Sequence, residues 1–219
     1  MGVPLDPPPS GTEREWLDAF YARGGTIAML RQTMVDADLM DRVIDVIQKD
    51  ARVLLEASVA TIHTVREGLY EFVDPGVSLL TLSHLPLLQE RNLLKPYGYM
   101  ISGSKWWKKA RPARRSRISF PIEGSFNLPF SEQMKLLAQN QQPIGISVLV
   151  TFLMLRPLSD GTRLLHDRRV RTGDMYSQDL QMYVGPFTPL GLQIGYCKSQ
   201  ESVAELGLAA STEWTKVHQ

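Results

Sequence analysis

The chain has 219 residues, of which 43% are hydrophobic and 21% charged, with a net charge of +1 and one cysteine. That length admits one large domain or two small ones, and the composition is globular rather than disordered. A lone Cys197 excludes an internal disulfide and a cysteine-built zinc site, and it fits a reducing compartment.

No cationic start leads into an apolar run, so no secretory signal is visible. The longest apolar tract, IGISVLVTFLML over 144–155, falls short of the roughly 20 residues that cross a bilayer. Gly2 is exposed by the start MGVPLD, but Asp6 stands where a myristoylation signal needs Ser or Thr, which discounts acylation. The expectation is an intracellular chain, cytoplasmic or peripheral on the inner face of a membrane.

Charge is unevenly spread. Residues 1–100 hold nine Lys/Arg against fourteen Asp/Glu, and residues 118–219 hold eight against nine. Between them KWWKKARPARRSR, residues 105–117, carries seven cations, two tryptophans and no acid. A general nucleic-acid binder is basic over a whole domain. This chain concentrates its positive charge in one strip on a mildly acidic body.

In chain order, residues 1–11 (MGVPLDPPPSG) read as an extended, proline-rich tail, because three consecutive prolines forbid helix. Residues 12–100 read as a helical region. A short helix begins at a Thr12/Glu15 capping box, stacks Trp16 over Phe20 one turn on, and stops at Gly24–Gly25. From Leu39 to Leu69 the apolar residues recur every three or four positions, which predicts a long amphipathic helix with Asp36, Asp38, Asp41 and Asp45 at its dipole-favoured start. His63 falls beside its apolar stripe. The leucine-rich stretch 77–100, broken by Pro86 and Pro96, reads as short turns packed on that helix.

Residues 101–117 read as a surface connector, and residues 118–219 as a mixed region with a mainly antiparallel sheet and short helices. ISFPIEGSFNLPF (118–130) alternates as a strand with a kink at Gly124. SEQMKLLAQNQ (131–141) is a short helix with Ser131 as N-cap. Residues 144–158 are a buried strand or a buried helix, and Val148, Val150 and Thr151 lean the choice toward strand. GDMYSQDLQMYVGPF and LGLQIGYCKSQ read as further strands, and SQESVAELGLAAS as a last short helix. The expected class is α+β.

No motif carries a reaction. His63, His84, His166 and His218 lack metalloprotease spacing, and no nucleophile elbow, phosphate-binding loop or dinucleotide fingerprint occurs. His166 and Asp167 are adjacent, so on a strand their side chains point to opposite faces. The reading therefore assigns no catalytic residue, metal, cofactor or small-molecule substrate. An enzyme with a dispersed site stays open as an alternative.

The strip is the candidate site, through Lys105, Trp106, Trp107, Lys108, Lys109, Arg111, Arg114, Arg115 and Arg117. Clustered cations attract phosphate, and indole suits both a headgroup layer and stacked bases. An anionic membrane and a nucleic acid or nucleoprotein both remain open as partners. Arg168, Arg169 and Arg171, in RRVR, form a second cluster that would widen the strip into a face if the two fold together.

The order of FPIEGSFNLPF, SEQMKLLAQ, IGISVLVTFLML and TPLGLQIGYCKSQ within residues 118–198 resembles the core of matrix proteins of the rhabdovirus kind. The resemblance covers under half of the chain. PPPS lacks the tyrosine of that family's budding motif, and about a hundred residues precede the core where the family has a short basic tail. The resemblance implies a non-enzymatic structural protein that self-associates, lies on the inner face of a membrane and contacts a nucleocapsid.

Overall fold

A computed structural model describes residues 11–22, 37–83, 85, 88, 107 and 111–212. The chain divides into two compact units, Met1–Val53 and Leu54–Gln219. The class is α+β.

In the first unit lie α1 (Glu13–Ala22) and the first part of α2 (Ala37–Val59). The Trp16 N–H donates to the Thr12 carbonyl as α1 begins. Glu13 is buried, accepts from the Gly11 N–H at 3.0 Å and forms an ion pair with Arg42 of α2. Leu17 and Ala51 are buried.

The periodicity that predicts helix to Leu69 is overruled after Val59. Thr61, Ile62, Thr64 and Val65 form a β-branched run, which favours extended backbone. The Thr61 hydroxyl donates to the Ser58 carbonyl at 2.7 Å and accepts the Val73 N–H at 2.8 Å, tying the helix end to the following strands. The chain instead forms β1 (His63–Arg66) and β2 (Leu69–Asp74), which turn through Glu67 and Gly68. The expected helical region 12–100 thus contains a hairpin. The one-turn α3 (Leu79–Ser83) follows, with Leu79 and Leu82 buried.

β3 spans Arg114–Ser119 and so begins inside the expected connector, while residues 120–129 turn instead of continuing as strand. α4 (Phe130–Lys135) starts after Pro129 rather than at Ser131, because the fixed proline backbone sets its entry. β4 is Gln141–Pro143.

Ile146–Asp160 is helix α5, not strand. Every residue from Ile146 to Leu155 is buried, and a segment surrounded by protein is served by a helix, which pairs its own backbone groups. Asp174 accepts the Ile146 N–H at 2.5 Å, and Gly161, at φ 80°, closes the other end in the left-handed conformation.

β5 (Arg169–Ser177), β6 (Leu180–Thr188) and β7 (Gly191–Lys198) form a meander. The expected last helix is instead β8 (Leu206–Leu208) and β9 (Ala210–Thr212), with Leu206 to Ala210 all buried. So short an apolar segment fits either period, and its pairing decides.

One sheet has the order β1-β2-β3-β9-β4, antiparallel throughout. The other has the order β7-β6-β5-β8, with β8 parallel to β5. α5 packs against β2 of the first and β5 and β6 of the second. Phe152 anchors it, its ring 5.3 Å from Tyr70, 5.2 Å from Phe72 and 5.9 Å from Phe120. Among the described residues no helix is long and apolar enough to cross a membrane.

Candidate anion-docking segment

The fold sorts the basic strip into anchors and presented charges. Trp107 is fully buried, so it does not offer its indole to a surface. Four residues later the chain is clamped again. The Arg111 N–H donates to the Gly76 carbonyl at 2.7 Å, and Gly76 sits at φ 74° against it. A Cβ on Gly76 would stand 2.0 Å from the Arg111 carbonyl oxygen, so only glycine fits there.

The Arg111 side chain also turns inward. Its Nε donates to Asp74 Oδ2 and its Nη2 to Asp74 Oδ1, both at 3.1 Å, and Nη2 reaches Thr151 Oγ1 at 3.2 Å. Asp74 is fully buried and accepts the Gly76 N–H as well. Arg111 is therefore an internal tie between β2 and α5 rather than a docking residue. A buried aspartate without that guanidinium would carry an uncompensated charge.

β3 carries the rest of the strip. Arg117 pairs with Glu71 across the β2–β3 ladder, its Nε donating to Oε1 at 2.6 Å. Glu71 is joined on its other side by His63, whose Nε2 lies 3.1 Å from Oε2. His63 Nδ1 lies 3.2 Å from the Thr61 carbonyl oxygen. Both ring nitrogens thus face acceptors on an exposed edge strand, not the stripe of a helix. Arg114 and Arg115, at the open start of β3, are exposed. Lys105, Trp106, Lys108 and Lys109 lie outside the described residues, as do His84, His218, Gly24 and the tail 1–10.

Of the second cluster, Arg169 and Arg171 lie on β5, in a different sheet from β3. Arg171 is fully buried. Its Nη1 donates to the Leu128 carbonyl at 2.8 Å and Gln133 Oε1 at 3.0 Å, and its Nη2 to the Glu201 carbonyl at 2.5 Å. Gln133, also buried, donates on to the Ser125 and Leu206 carbonyls. This network fastens the loops 120–129 and 199–205 to α4, β5 and β8, with the Arg171 guanidinium turned into the fold. Arg168 lies over the Phe126 ring at 5.2 Å and Arg169 over Tyr183 at 5.6 Å. His166 and Asp167 are exposed, and Asp167 faces Arg168 at 3.9 Å.

Reasoning from sequence missed the two carboxylates that sort the strip. Their signal was present: Glu71 and Asp74 flank FV in YEFVDPG, an acid-bearing stretch ahead of the basic one. Among the described residues no three His, Cys, Asp or Glu side chains gather as metal ligands. No protein-family model, curated protein or solved structure matches this chain.

Proposed function

We propose that the chain is a non-enzymatic structural protein, matrix-like, that docks an anionic surface through the basic segment and associates with copies of itself. The observation that supports this reading most is the pairing of internal anchors with outward arginines. Trp107 and Arg111 hold the segment to the fold, while Arg114 and Arg115 stand exposed just beyond. A purely solvated hinge needs no such double anchor. In this reading Lys105, Lys108 and Lys109 complete the contact, the surface is the inner face of an anionic membrane, and the helical N-terminal part with its long amphipathic helix faces a nucleocapsid-type partner.

Clustered cations near an anionic bilayer contribute about 1 kcal/mol each. The test is co-sedimentation with vesicles, phosphatidylcholine alone against phosphatidylserine-rich, with and without added RNA. Binding to the anionic vesicles alone, little displaced by RNA, is the expected result. Release by RNA moves the assignment to nucleic-acid binding by the same segment. Full binding by a variant with Lys105, Lys108, Lys109, Arg114 and Arg115 all changed to Gln overturns it. Arg111 and Arg117 are left intact in that variant because each holds a carboxylate of the fold.

A further inference from the structure

The five-stranded sheet carries a row of polar side chains on the side that faces away from α5. Tyr70 and Phe72 set their rings against Phe152 of α5, at 5.3 and 5.2 Å, so Glu71 between them points to the other side. Residues directly opposed across a ladder share a face. The register aligns His63 with Glu71, Glu71 with Arg117, Arg117 with Thr212 and Thr212 with Gln141, so the row crosses every strand of the sheet. Arg115, two residues before Arg117 on β3, is exposed and lies on the same side. The row therefore joins a histidine on the edge strand to the basic segment.

Glu71 is the centre of the row. Its Oε1 accepts from Arg117 Nε at 2.6 Å and pairs with Nη2 as well, while its Oε2 lies 3.1 Å from His63 Nε2. The other ring nitrogen, Nδ1, lies 3.2 Å from the Thr61 carbonyl oxygen. A neutral imidazole has a single N–H, so one of those two oxygens meets a bare nitrogen, whereas an imidazolium donates to both. The His63 side chain is 61% exposed, so solvent protons reach it. Among the described residues Glu71 is the charged group that faces His63 from β2, and Arg117 of β3 stands behind that carboxylate. On the histidine's own hairpin Arg66 and Glu67 are exposed, and Arg66 is aligned with Leu69 instead of Glu71. Thr212 and Gln141, which complete the row, carry no charge.

We propose that the His63–Glu71–Arg117 row is a proton switch on the docking segment. With His63 neutral, the Glu71 carboxylate cancels the charge of Arg117. With His63 protonated, the same carboxylate is shared between two cations, and the row carries one net positive charge beside Arg115. The inference rests on the docking reading above and adds its regulation. Neighbouring strands lie about 4.8 Å apart, so the backbones of His63 and Arg117 are about 10 Å apart, close to the screening length of about 8–10 Å. The three side chains thus act on one patch of headgroups. Histidine changes charge between about pH 5 and 8, where arginine does not. One added cation near an anionic bilayer strengthens binding about fivefold.

The test is titration with phosphatidylserine-rich vesicles at about pH 8 and about pH 5.5, at one salt concentration, for the full unmodified chain, His63→Gln and Glu71→Gln. The unmodified chain should bind about fivefold more tightly at the lower pH. His63→Gln keeps a donor toward Glu71 but takes up no proton, so it should lose that rise. The other histidines titrate in all three chains and cancel in the comparison. Glu71→Gln keeps the shape and removes the charge, so at about pH 8 it should bind as tightly as the unmodified chain does at about pH 5.5. A rise in His63→Gln equal to that of the unmodified chain overturns the switch. A Glu71→Gln variant with native circular dichroism that binds no more tightly than the unmodified chain at the higher pH overturns it as well. Binding by the unmodified chain that is the same at both values overturns the switch and leaves the docking standing. No binding at either value overturns the docking, and the switch with it.

Discussion

Arg111 meets Asp74 through two separate nitrogens, each 3.1 Å from its own carboxylate oxygen, in a site where Asp74 is fully buried. The pair converts one of seven apparently exposed cations into a joint between β2, α5 and the basic segment. Removing one member of such a pair leaves the other charged and unsolvated, which typically costs about 3–5 kcal/mol. Arg111→Ala should therefore lower the unfolding free energy by that margin, with a lower urea midpoint, and Arg111→Lys should recover only part of it, since a point charge replaces a fork. Chemical denaturation of the two variants checks this.

Arg171 should behave as a second internal tie. Its guanidinium donates to the Leu128 and Glu201 carbonyls and to Gln133 Oε1. Each buried acceptor left unsatisfied costs about 1–3 kcal/mol. Arg171→Lys is expected to destabilise the fold by at least that amount, with vesicle binding unchanged in the folded fraction. An equally stable Arg171→Lys would contradict the network, and loss of binding by a folded variant would return Arg171 to the docking surface.

Asp160 gives a pH prediction with a definite sign. Burial acts to raise its pKa, but the Thr162 N–H and hydroxyl and the Arg156 guanidinium outweigh burial, and the net displacement is downward. Arg156 Nη2 lies 2.7 Å away, one turn earlier on α5. A folded-state pKa below the unfolded one means that the stabilisation is present above the unfolded value, about 3.9, and is lost as pH falls through the folded value. Asp160→Asn should therefore flatten stability on the acid side, and the difference from the unmodified chain should shrink toward low pH. The carboxylate is partly exposed, so the effect is small. Thermal midpoints between pH 2 and 6 measure it.

What sequence could convey divides along physical lines. The class was legible, and so was the break at TPLG between two strands, but GDMYSQDLQMYVGPF, expected as one strand, is split by the turn at Gln178–Asp179 into β5 and β6. Other elements were not. Val148, Val150 and Thr151 favour strand locally, but α5 is surrounded by both sheets, and total burial overrides the preference. Ile62, Val65 and Leu69 continue a helical spacing by coincidence, while the β-branched run and Gly68 direct the backbone. At the candidate site, the clustering of charge was visible and its sorting was not. Whether Arg111 or Arg114 faces water depends on Asp74 and Gly76, more than thirty residues earlier and adjacent only once β2 and β3 pair.

That sorting yields the last prediction. If every cation in the strip docked equally, neutralising any two would weaken vesicle binding alike. The anchors make them unequal. Arg114 and Arg115 are exposed, and at about 1 kcal/mol each near an anionic bilayer their joint loss is worth roughly 2 kcal/mol, or about thirtyfold in affinity. Arg117 is engaged by Glu71 in a contact that is 39% exposed on the arginine side, so replacing it should cost less binding than replacing Arg114. The Arg114→Gln/Arg115→Gln double variant should therefore keep its folding midpoint and lose about thirtyfold in binding to phosphatidylserine-rich vesicles, with a shallower salt dependence. Arg111→Lys should show the reverse, a lower midpoint and unchanged affinity. Vesicle titrations at two salt concentrations, beside denaturation curves for the same proteins, separate the two patterns. Equal losses of affinity in both would mean that the anchors and the presented arginines act as one surface after all.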